Sequence, residues 1–100
     1  MTAYIVSVCK VTNPHDNFKK YLKLSEDLLK AHGGTYVVRG KAETVYEGDQ
    51  LKDRVVIISS FPSMEALKGF VESDAYKKDI APLRADSGIY DIGAFNAAGE

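Results

Sequence analysis

The chain has 100 residues, of which 45% are hydrophobic and 27% charged, a mixture typical of one globular domain with a buried core. Its 13 basic and 14 acidic residues are spread along the chain, which argues against nucleic acid as a partner. No apolar run approaches the roughly 20 residues that span a bilayer, and no signal-peptide pattern opens the chain, so we expect a cytoplasmic protein without a membrane partner.

The N-terminal third predicts a strand followed by an amphipathic helix. Residues 3–11 are rich in β-branched side chains and apolar on both parities, which indicates a central strand. Asn13 is expected to cap the helix and Pro14 to occupy its first position. Side chains that are mostly apolar then recur at helical spacing on one face: Phe18, Tyr21, Leu22, Ser25, Leu28, Leu29 and His32.

The first helix is expected to end at a glycine corner. Gly33 suits the left-handed conformation that ends many helices, because a side chain there would be strained. Residues 35–40 then predict a second strand. Residues 43–47 either continue this strand or form a separate piece beyond a bulge.

The C-terminal half repeats the alternation of strands and helices. Residues 54–61 predict a third strand, again apolar on both parities, and residues 62–65 open a second helix. Ser73 is expected to cap a further short helix that Pro82 breaks. Residues 89–95 predict the last strand.

The order strand, helix, strand, strand, helix, strand predicts an α+β fold, the ferredoxin-like βαββαβ arrangement with a four-stranded antiparallel sheet. We expect residues 1–96 to form this single domain and residues 97–100 to form a disordered tail. Both helices of such a fold cover one face of the sheet, yet both faces are apolar here. A second copy of the chain is therefore expected to cover the other face, which predicts a homodimer.

Several segments, taken in order, resemble an uncharacterised bacterial family, domain of unknown function 1330. The segments are AYIV, HGGTYVVRG, YEGD, RVVIISSFPSMEALKGF, SDAY and APLR. By fold that family belongs to the dimeric α/β barrels, so the resemblance implies a ferredoxin-like subunit whose sheet faces that of its partner. Relatives by fold include cofactor-independent monooxygenases, haem-degrading enzymes and small-molecule isomerases, and this breadth leaves the reaction open.

A set of polar side chains matches the recurring polar positions of that family and forms the candidate site, a pocket between the sheet and the helices. The candidate catalytic residues are His32, Glu47 and Tyr76, and the candidate substrate-binding residues are Arg39, Arg54 and Arg84. Tyr21 on the helix stripe is a further candidate for substrate binding, because its hydroxyl can reach the same pocket. A histidine transfers protons near neutral pH, and arginines hold a carboxylate or an enolate. The pocket is therefore expected to take a small anionic or aromatic ligand.

Each of these residues also has a structural interpretation. His32 lies in the last turn of a helix, where positive charge is stabilising. Arg39 and Glu47 are compatible with a cross-strand ion pair, and Arg54 with a solvated edge position. Arg84 can cap helical carbonyls, and Tyr76 can anchor the core. A tyrosine on the buried helix stripe, such as Tyr21, packs in the core under this interpretation.

No spacing typical of a metal site, phosphate-binding loop or serine hydrolase is present, so we expect neither a metal nor an organic cofactor. Three functions stay open. The chain is a cofactor-independent small-molecule enzyme for proton transfer, oxygenation or isomerisation, a non-catalytic dimeric ligand-binding module, or a structural or regulatory dimer whose polar cluster is an interface network.

Overall fold

The predicted order of strands and helices is present in the computed structural model, which describes residues 1–99. The elements are β1 (Ala3–Val11), α1 (Asp16–Ala31), β2 (Thr35–Lys41), β3 (Val55–Phe61), α2 (Met64–Val71) and β4 (Gly88–Asn96), with a π-helical segment (Ala75–Ile80) and a 3₁₀ segment (Ala81–Arg84) before β4. The strands form one antiparallel sheet in the order β2-β3-β1-β4. The α+β, ferredoxin-like prediction is confirmed.

The core lies between the sheet and the helices. Ala3 of β1 is paired with Phe61 of β3, and both are buried against Leu67 and Phe70 of α2. Because side chains alternate along a strand, every second residue from these two faces the helices and the others face away. One face of the sheet is thus covered by the chain itself.

The opposite face of the sheet, which we call the outer face, is apolar and has no helix against it within residues 1–99. Alternation assigns to it Val6 and Val8 of β1, Ile58 of β3 and Phe95 of β4, because Val6 is paired with Ile58 and Tyr4 with Phe95. Phe95 is 55% exposed, and Val6, Val8 and Ile58 are only partly covered by their neighbours. A surface of this composition is unusual for a monomer.

The start of α1 differs from the prediction. The cap is His15, whose ring Nδ1 accepts a hydrogen bond from the Phe18 amide at 3.0 Å, and the helix begins at Asp16. Asn13 instead donates its backbone N–H to the Ser87 carbonyl at 2.9 Å. Asn13 is therefore tied to the start of β4, which leaves the capping position to the next residue with a suitable acceptor.

The glycine corner after α1 agrees with the prediction, whereas the segment after β2 does not. Gly33 has φ +83°, in the region that favours glycine. A bulge lies inside β2, between Tyr36 and Val38, and residues 42–54 form turns and loop rather than a further piece of strand. Gly48 at φ +80° and Asp53 at φ +54° have left-handed backbone conformations. This segment therefore turns repeatedly and does not pair with β3 as a strand.

The segment after α2 brings Tyr76 and Arg84 over the core. Ser73 caps it as predicted, because its Oγ accepts a hydrogen bond from the Tyr76 amide at 3.1 Å and donates to the Phe70 carbonyl at 2.7 Å. Pro82 has no amide hydrogen, and the helical segment changes there from π to 3₁₀ geometry. Arg84 closes this segment just before β4.

The ends of the described chain add two observations. Ala97 follows β4 and still donates a backbone hydrogen bond to the Thr2 carbonyl at 3.1 Å, whereas residue 100 of the predicted tail lies outside the described residues. Within residues 1–99, no helix is both long and apolar enough to cross a bilayer.

Candidate functional site

A cavity lies between the helix-facing side of the sheet and the helices. Its volume open to the centre of a water molecule is about 70 Å³, several times the roughly 10–15 Å³ that one water requires. Its lining is mostly apolar with a few hydroxyl groups and one guanidinium: Ile5, Ser7, Tyr21, Leu22, Ser25, Leu29, Tyr36, Arg39, Ile57, Ser59, Phe70, Val71, Tyr76 and Ile92. A largely apolar wall with a few polar groups is typical of a small-molecule site.

Two of the predicted site residues, Tyr21 and Tyr76, line one wall of this cavity, and a third, Arg84, contacts both of them from behind that wall. Arg84 Nη1 donates hydrogen bonds to the hydroxyl oxygens of Tyr21 at 3.1 Å and Tyr76 at 3.0 Å. The two hydroxyl oxygens are themselves 3.3 Å apart. We call this group the Arg84 cluster. Tyr21 comes from α1, Tyr76 from the π-helical segment and Arg84 from the 3₁₀ segment, so three separate elements converge here.

The packing of each member holds the Arg84 cluster in place. The Tyr76 ring lies 5.0 Å from the Phe70 ring, centroid to centroid, and its backbone amide is tied to Ser73. The Arg84 guanidinium lies over the rings of Tyr21 and Tyr90, at 5.5 and 4.9 Å from their centroids. Contacts between a guanidinium and ring faces are attractive and strengthen with desolvation.

Burial raises the pKa of one tyrosine of the Arg84 cluster, Tyr76. Desolvation raises the pKa of Tyr76 well above its usual value, and the neighbouring Tyr21 adds to this, whereas Arg84 opposes it. Burial alone would lower the pKa of Arg84, but the two tyrosine hydroxyls outweigh that effect and leave it raised. At neutral pH the cluster therefore contains a guanidinium cation beside the neutral phenol of Tyr76.

A second arginine, Arg39, lines the cavity from the edge strand β2. Its Nη1 lies 3.4 Å from Oε1 of Glu26 on α1, and its guanidinium lies 4.6 Å from the centroid of the Tyr36 ring. The alternative interpretation paired Arg39 with Glu47, but Glu26 takes that place because α1 packs over β2. The side chain of Arg39 is 48% exposed, so this ion pair is largely in contact with solvent.

Two serines on the helix-facing side of the sheet line the floor of the cavity. Ser59 is paired with Ile5 and Tyr36 across the sheet and is only 2% exposed. Its hydroxyl has no hydrogen-bond partner within residues 1–99, and it is not sealed off from the cavity that it lines. A nearly buried hydroxyl of this kind requires a partner such as water or a ligand group. Ser7 lines the same floor and contacts Cys9 Sγ.

The other predicted site residues lie away from the cavity wall. His32 caps the C-terminus of α1 through its backbone, and its ring packs at 6.3 Å from the Phe70 ring. Glu47 is exposed in the loop between β2 and β3, and Arg54 is partly buried just before β3. Neither Glu47 nor Arg54 forms an ion pair within residues 1–99, and the roles predicted for all three residues stay predictions.

Sequence reasoning did not single out Ser59, Tyr36 or Tyr90. For Ser59 a signal was available, since it is a polar residue at a helix-facing position of a strand that is otherwise apolar. The contact of Tyr90 with Arg84 links residues of different elements, and no spacing along the chain announces it. Among residues 1–99, no three histidine, cysteine or carboxylate side chains are grouped so as to hold a metal ion.

Solved structures share this fold over nearly the whole chain. A protein of unknown function from Rhodopseudomonas palustris aligns with a TM-score of 0.74 at 16% identity, covering 99% of this chain and 84% of that one. SnoaB, a cofactor-independent oxygenase from Streptomyces nogalater, aligns with a TM-score of 0.62 at 15% identity, covering 99% and 95%. A provisionally assigned antibiotic biosynthesis monooxygenase from Nitrosomonas europaea aligns with a TM-score of 0.64 at 13% identity, covering 98% and 91%.

At these identities the likeness establishes the fold and no activity. No curated protein matches the sequence. A family model, the domain of unknown function DUF1330, matches residues 2–96, which is almost the whole chain and confirms the resemblance that the sequence segments indicated. The chain belongs to the DUF1330 family.

Proposed function

We propose that this chain is a cofactor-independent enzyme acting on a small molecule, with the cavity between the sheet and the helices as its active site. The observation that carries the proposal is the Arg84 cluster, in which one guanidinium donates to two phenolic hydroxyls at the wall of a largely apolar cavity. Fixed hydrogen-bond donors in a partly dry site stabilise charge that develops on a substrate oxygen, and this is often a large part of catalysis.

The proposal assigns different roles to the residues of the site. Tyr76 and Tyr21 contact the substrate oxygen, and Arg84 orients both hydroxyls while adding positive charge behind them. Arg39 stands at the exposed side of the cavity, where it contacts the substrate as it enters. The Streptomyces nogalater neighbour is a cofactor-independent oxygenase on the same fold, and this is the property that the proposal extends to the present chain.

One observation favours a second candidate, a non-catalytic ligand-binding module. No carboxylate or imidazole within residues 1–99 is among the groups that line the cavity. A reaction that begins with removal of a proton from carbon needs a base within hydrogen-bond reach. Among the described residues, the cavity walls supply hydrogen-bond donors but no such carboxylate or imidazole base. A binding module requires only the donors and the shape.

Binding and turnover measurements test the enzyme against the module. Small phenols and ketones are screened by thermal shift, since a ligand bound only by the folded state raises Tm. The compounds that bind are then incubated with the protein under air and followed by NMR and oxygen consumption. An enzyme converts at least one of them, whereas a binding module returns every one unchanged, and the absence of any ligand-induced shift would contradict both functions.

A matched pair of variants shows whether the cavity is responsible. Tyr76→Phe removes one hydroxyl of the Arg84 cluster and is expected to weaken ligand binding about 5- to 150-fold, the range for one hydrogen bond of about 1–3 kcal/mol. Tyr46→Phe removes the hydroxyl of a tyrosine that is 90% exposed in the loop and is expected to leave binding unchanged. Equal effects of the two variants would place the binding site elsewhere.

We also propose that the chain works as a homodimer in which a second copy covers the outer face of the sheet. The support is the exposed apolar character of that face, with Phe95 at 55% and Val38 at 43% exposure. Phe95→Lys places a charge in the proposed interface and is expected to give monomers in light scattering. Leu24→Lys on the exposed side of α1, at 44% exposure, is the matched control and should remain dimeric.

A further inference from the structure

The charge of Arg84 is not offset by a carboxylate. The ion pairs present within residues 1–99 involve lysines and Arg39, and none involves Arg84. The guanidinium is surrounded instead by two hydroxyls and two ring faces, which are polar or polarisable but uncharged. A half-buried cation without an anionic partner is costly, and its cost falls when an anion occupies the space beside it.

The tyrosines do not supply that anion themselves. Burial raises the pKa of Tyr76, and the proximity of Tyr21 raises it further, so the phenol of Tyr76 does not neutralise Arg84 at neutral pH. The other titratable groups facing the cavity are Tyr36 and Arg39, and Arg39 is already paired with Glu26. The charge of Arg84, directly behind the two tyrosines of the wall, is therefore not balanced by a carboxylate within residues 1–99, and an anion in the cavity would lie close to it.

The number of uncommitted hydroxyl hydrogens at this wall limits how many ligand oxygens can accept a hydrogen bond there. Arg84 Nη1 uses its two hydrogens on the two hydroxyl oxygens. The hydroxyls of Tyr21 and Tyr76 carry one hydrogen each, and their 3.3 Å contact uses one of these. One phenolic hydrogen is left without an acceptor within residues 1–99. Tyr21 and Tyr76 line the cavity but Arg84 does not, so the remaining Nε and Nη2 hydrogens of Arg84 are not counted at this wall. The two tyrosines therefore offer a single strong donor in front of the positive charge.

From these observations we propose that the cavity binds weak acids with a single ionisable oxygen, phenols or enols, as their anions. The anionic oxygen accepts the uncommitted phenolic hydrogen of the Tyr21–Tyr76 pair, and the charge of Arg84 lies behind that hydrogen bond. The apolar walls take the remainder of the ligand, and Ser59 on the floor can bond a second polar group. A carboxylate shares its charge over two oxygens and finds one donor for them at the Tyr21–Tyr76 wall. This inference rests on the proposed use of the cavity as a binding site.

Absorbance of 4-nitrophenol tests the inference directly, because its phenolate form absorbs visible light and its phenol form does not. The free and bound compound are titrated with acid in the presence of saturating wild-type protein. An opposite charge nearby lowers the pKa of an acid by about one to three units. We therefore expect the bound compound to be ionised at a pH lower by at least about one unit than the free compound.

Two further ligands separate the possible failures. 4-Nitroanisole has the same ring and no ionisable oxygen, and 4-nitrobenzoate carries a carboxylate. Equal affinities for nitrophenol and nitroanisole, with unchanged ionisation, would overturn the inference but leave the cavity as a binding site. Tighter binding of nitrobenzoate than of nitrophenol would overturn the single-oxygen requirement. Failure of all three compounds to bind would overturn the proposed function as well.

Two substitutions of Arg84 isolate its charge. Arg84→Gln removes the cation, and Arg84→Lys keeps it while changing the hydrogen-bond geometry. Both are expected to bind 4-nitroanisole, but only the lysine variant should retain most of the downward shift in nitrophenol ionisation. Loss of the shift in both variants, or its retention in both, would contradict the role given to the charge. The comparison of ligands on the wild-type chain stands even if a variant does not fold.

Discussion

Arg39 and Arg84 lie toward opposite edges of the sheet and have very different surroundings. Arg39 extends from the edge strand β2, is 48% exposed in its side chain and pairs with Glu26 at 3.4 Å. Arg84 lies over Tyr90 of the opposite edge strand β4 and donates to two neutral hydroxyls. The same side chain thus forms a solvated ion pair at one edge and presents an uncompensated charge at the other.

The difference shows that exposure and partner, rather than residue type, decide what an arginine contributes. An exposed ion pair is worth about 0–1 kcal/mol, because water and salt screen it. A hydrogen bond from a charged donor in a partly buried site is worth about 1.5–3 kcal/mol. We therefore expect Arg84 to matter more than Arg39 both for stability and for ligand binding.

The largest expected effect is that of Arg84→Gln on stability. The substitution leaves the hydroxyls of Tyr21 and Tyr76 without their common donor, and we expect the free energy of unfolding to fall by about 2 kcal/mol. Urea denaturation followed by circular dichroism measures this change. A loss no greater than that caused by Arg39→Gln would show that the two arginines are energetically equivalent and would break the comparison.

An intermediate effect is expected from the pH dependence of stability at alkaline pH. Because burial raises the pKa of Tyr76 in the folded chain, the unfolded chain loses its phenolic proton first, from about pH 10. Stability associated with Tyr76 is thus fully present below about pH 10 and falls as pH rises further toward the folded-state pKa. Denaturant midpoints at increasing pH should fall more steeply for the wild type than for Tyr76→Phe.

The control for this experiment is Tyr36→Phe on the Arg39 side of the cavity. Burial also raises the pKa of Tyr36, but Arg39 opposes the shift. We expect Tyr36→Phe to retain most of the alkaline decline in stability. Identical pH profiles for the wild type and Tyr76→Phe would show that the burial of Tyr76 has no consequence for its ionisation.

The smallest expected effect belongs to the ion pair of Arg39 with Glu26. A double-mutant cycle with Arg39→Gln and Glu26→Gln should give a coupling energy below about 1 kcal/mol. The coupling should diminish further at high salt, because solvated charges are screened over a few ångströms at about 1 M salt. A coupling well above this value that persists at high salt would remove the contrast with Arg84.

Local sequence patterns predicted most of the elements and failed where a distant segment intervened. The β-branched run of β1 and the glycine after α1 specify their conformations through neighbouring residues alone. The start of α1 was placed at Asn13, but the backbone of that residue is bound to Ser87, 74 positions further along the chain. His15 caps the helix instead, because Asn13 is held by this tertiary contact.

The candidate site shows the same division. Tyr21 and Tyr76 were identified as candidates, and their hydroxyls meet although they are separated by 55 positions. His32 was grouped with them because it matches a recurring polar position of the family, yet its ring lies against Phe70 rather than on the cavity wall, as a member of the apolar helix stripe would. The spacing of residues along a helix predicts which side of the helix they face. It does not predict how far each side chain extends, so it does not tell which of them reach a cavity.

By itself, the sequence determined the order of the elements and, from that order, the ferredoxin-like fold, because periodicity, capping residues and glycines act through near neighbours. The family followed from the resemblance of its segments to DUF1330. Only the tertiary structure decided that Arg39 meets Glu26 and that Arg84 meets two phenols. An arginine has the same intrinsic charge wherever it lies in the chain. Elements that are remote in sequence set its partner and its contact with water. The partner and the solvent contact then decide whether the charge forms an ion pair or is available to a ligand.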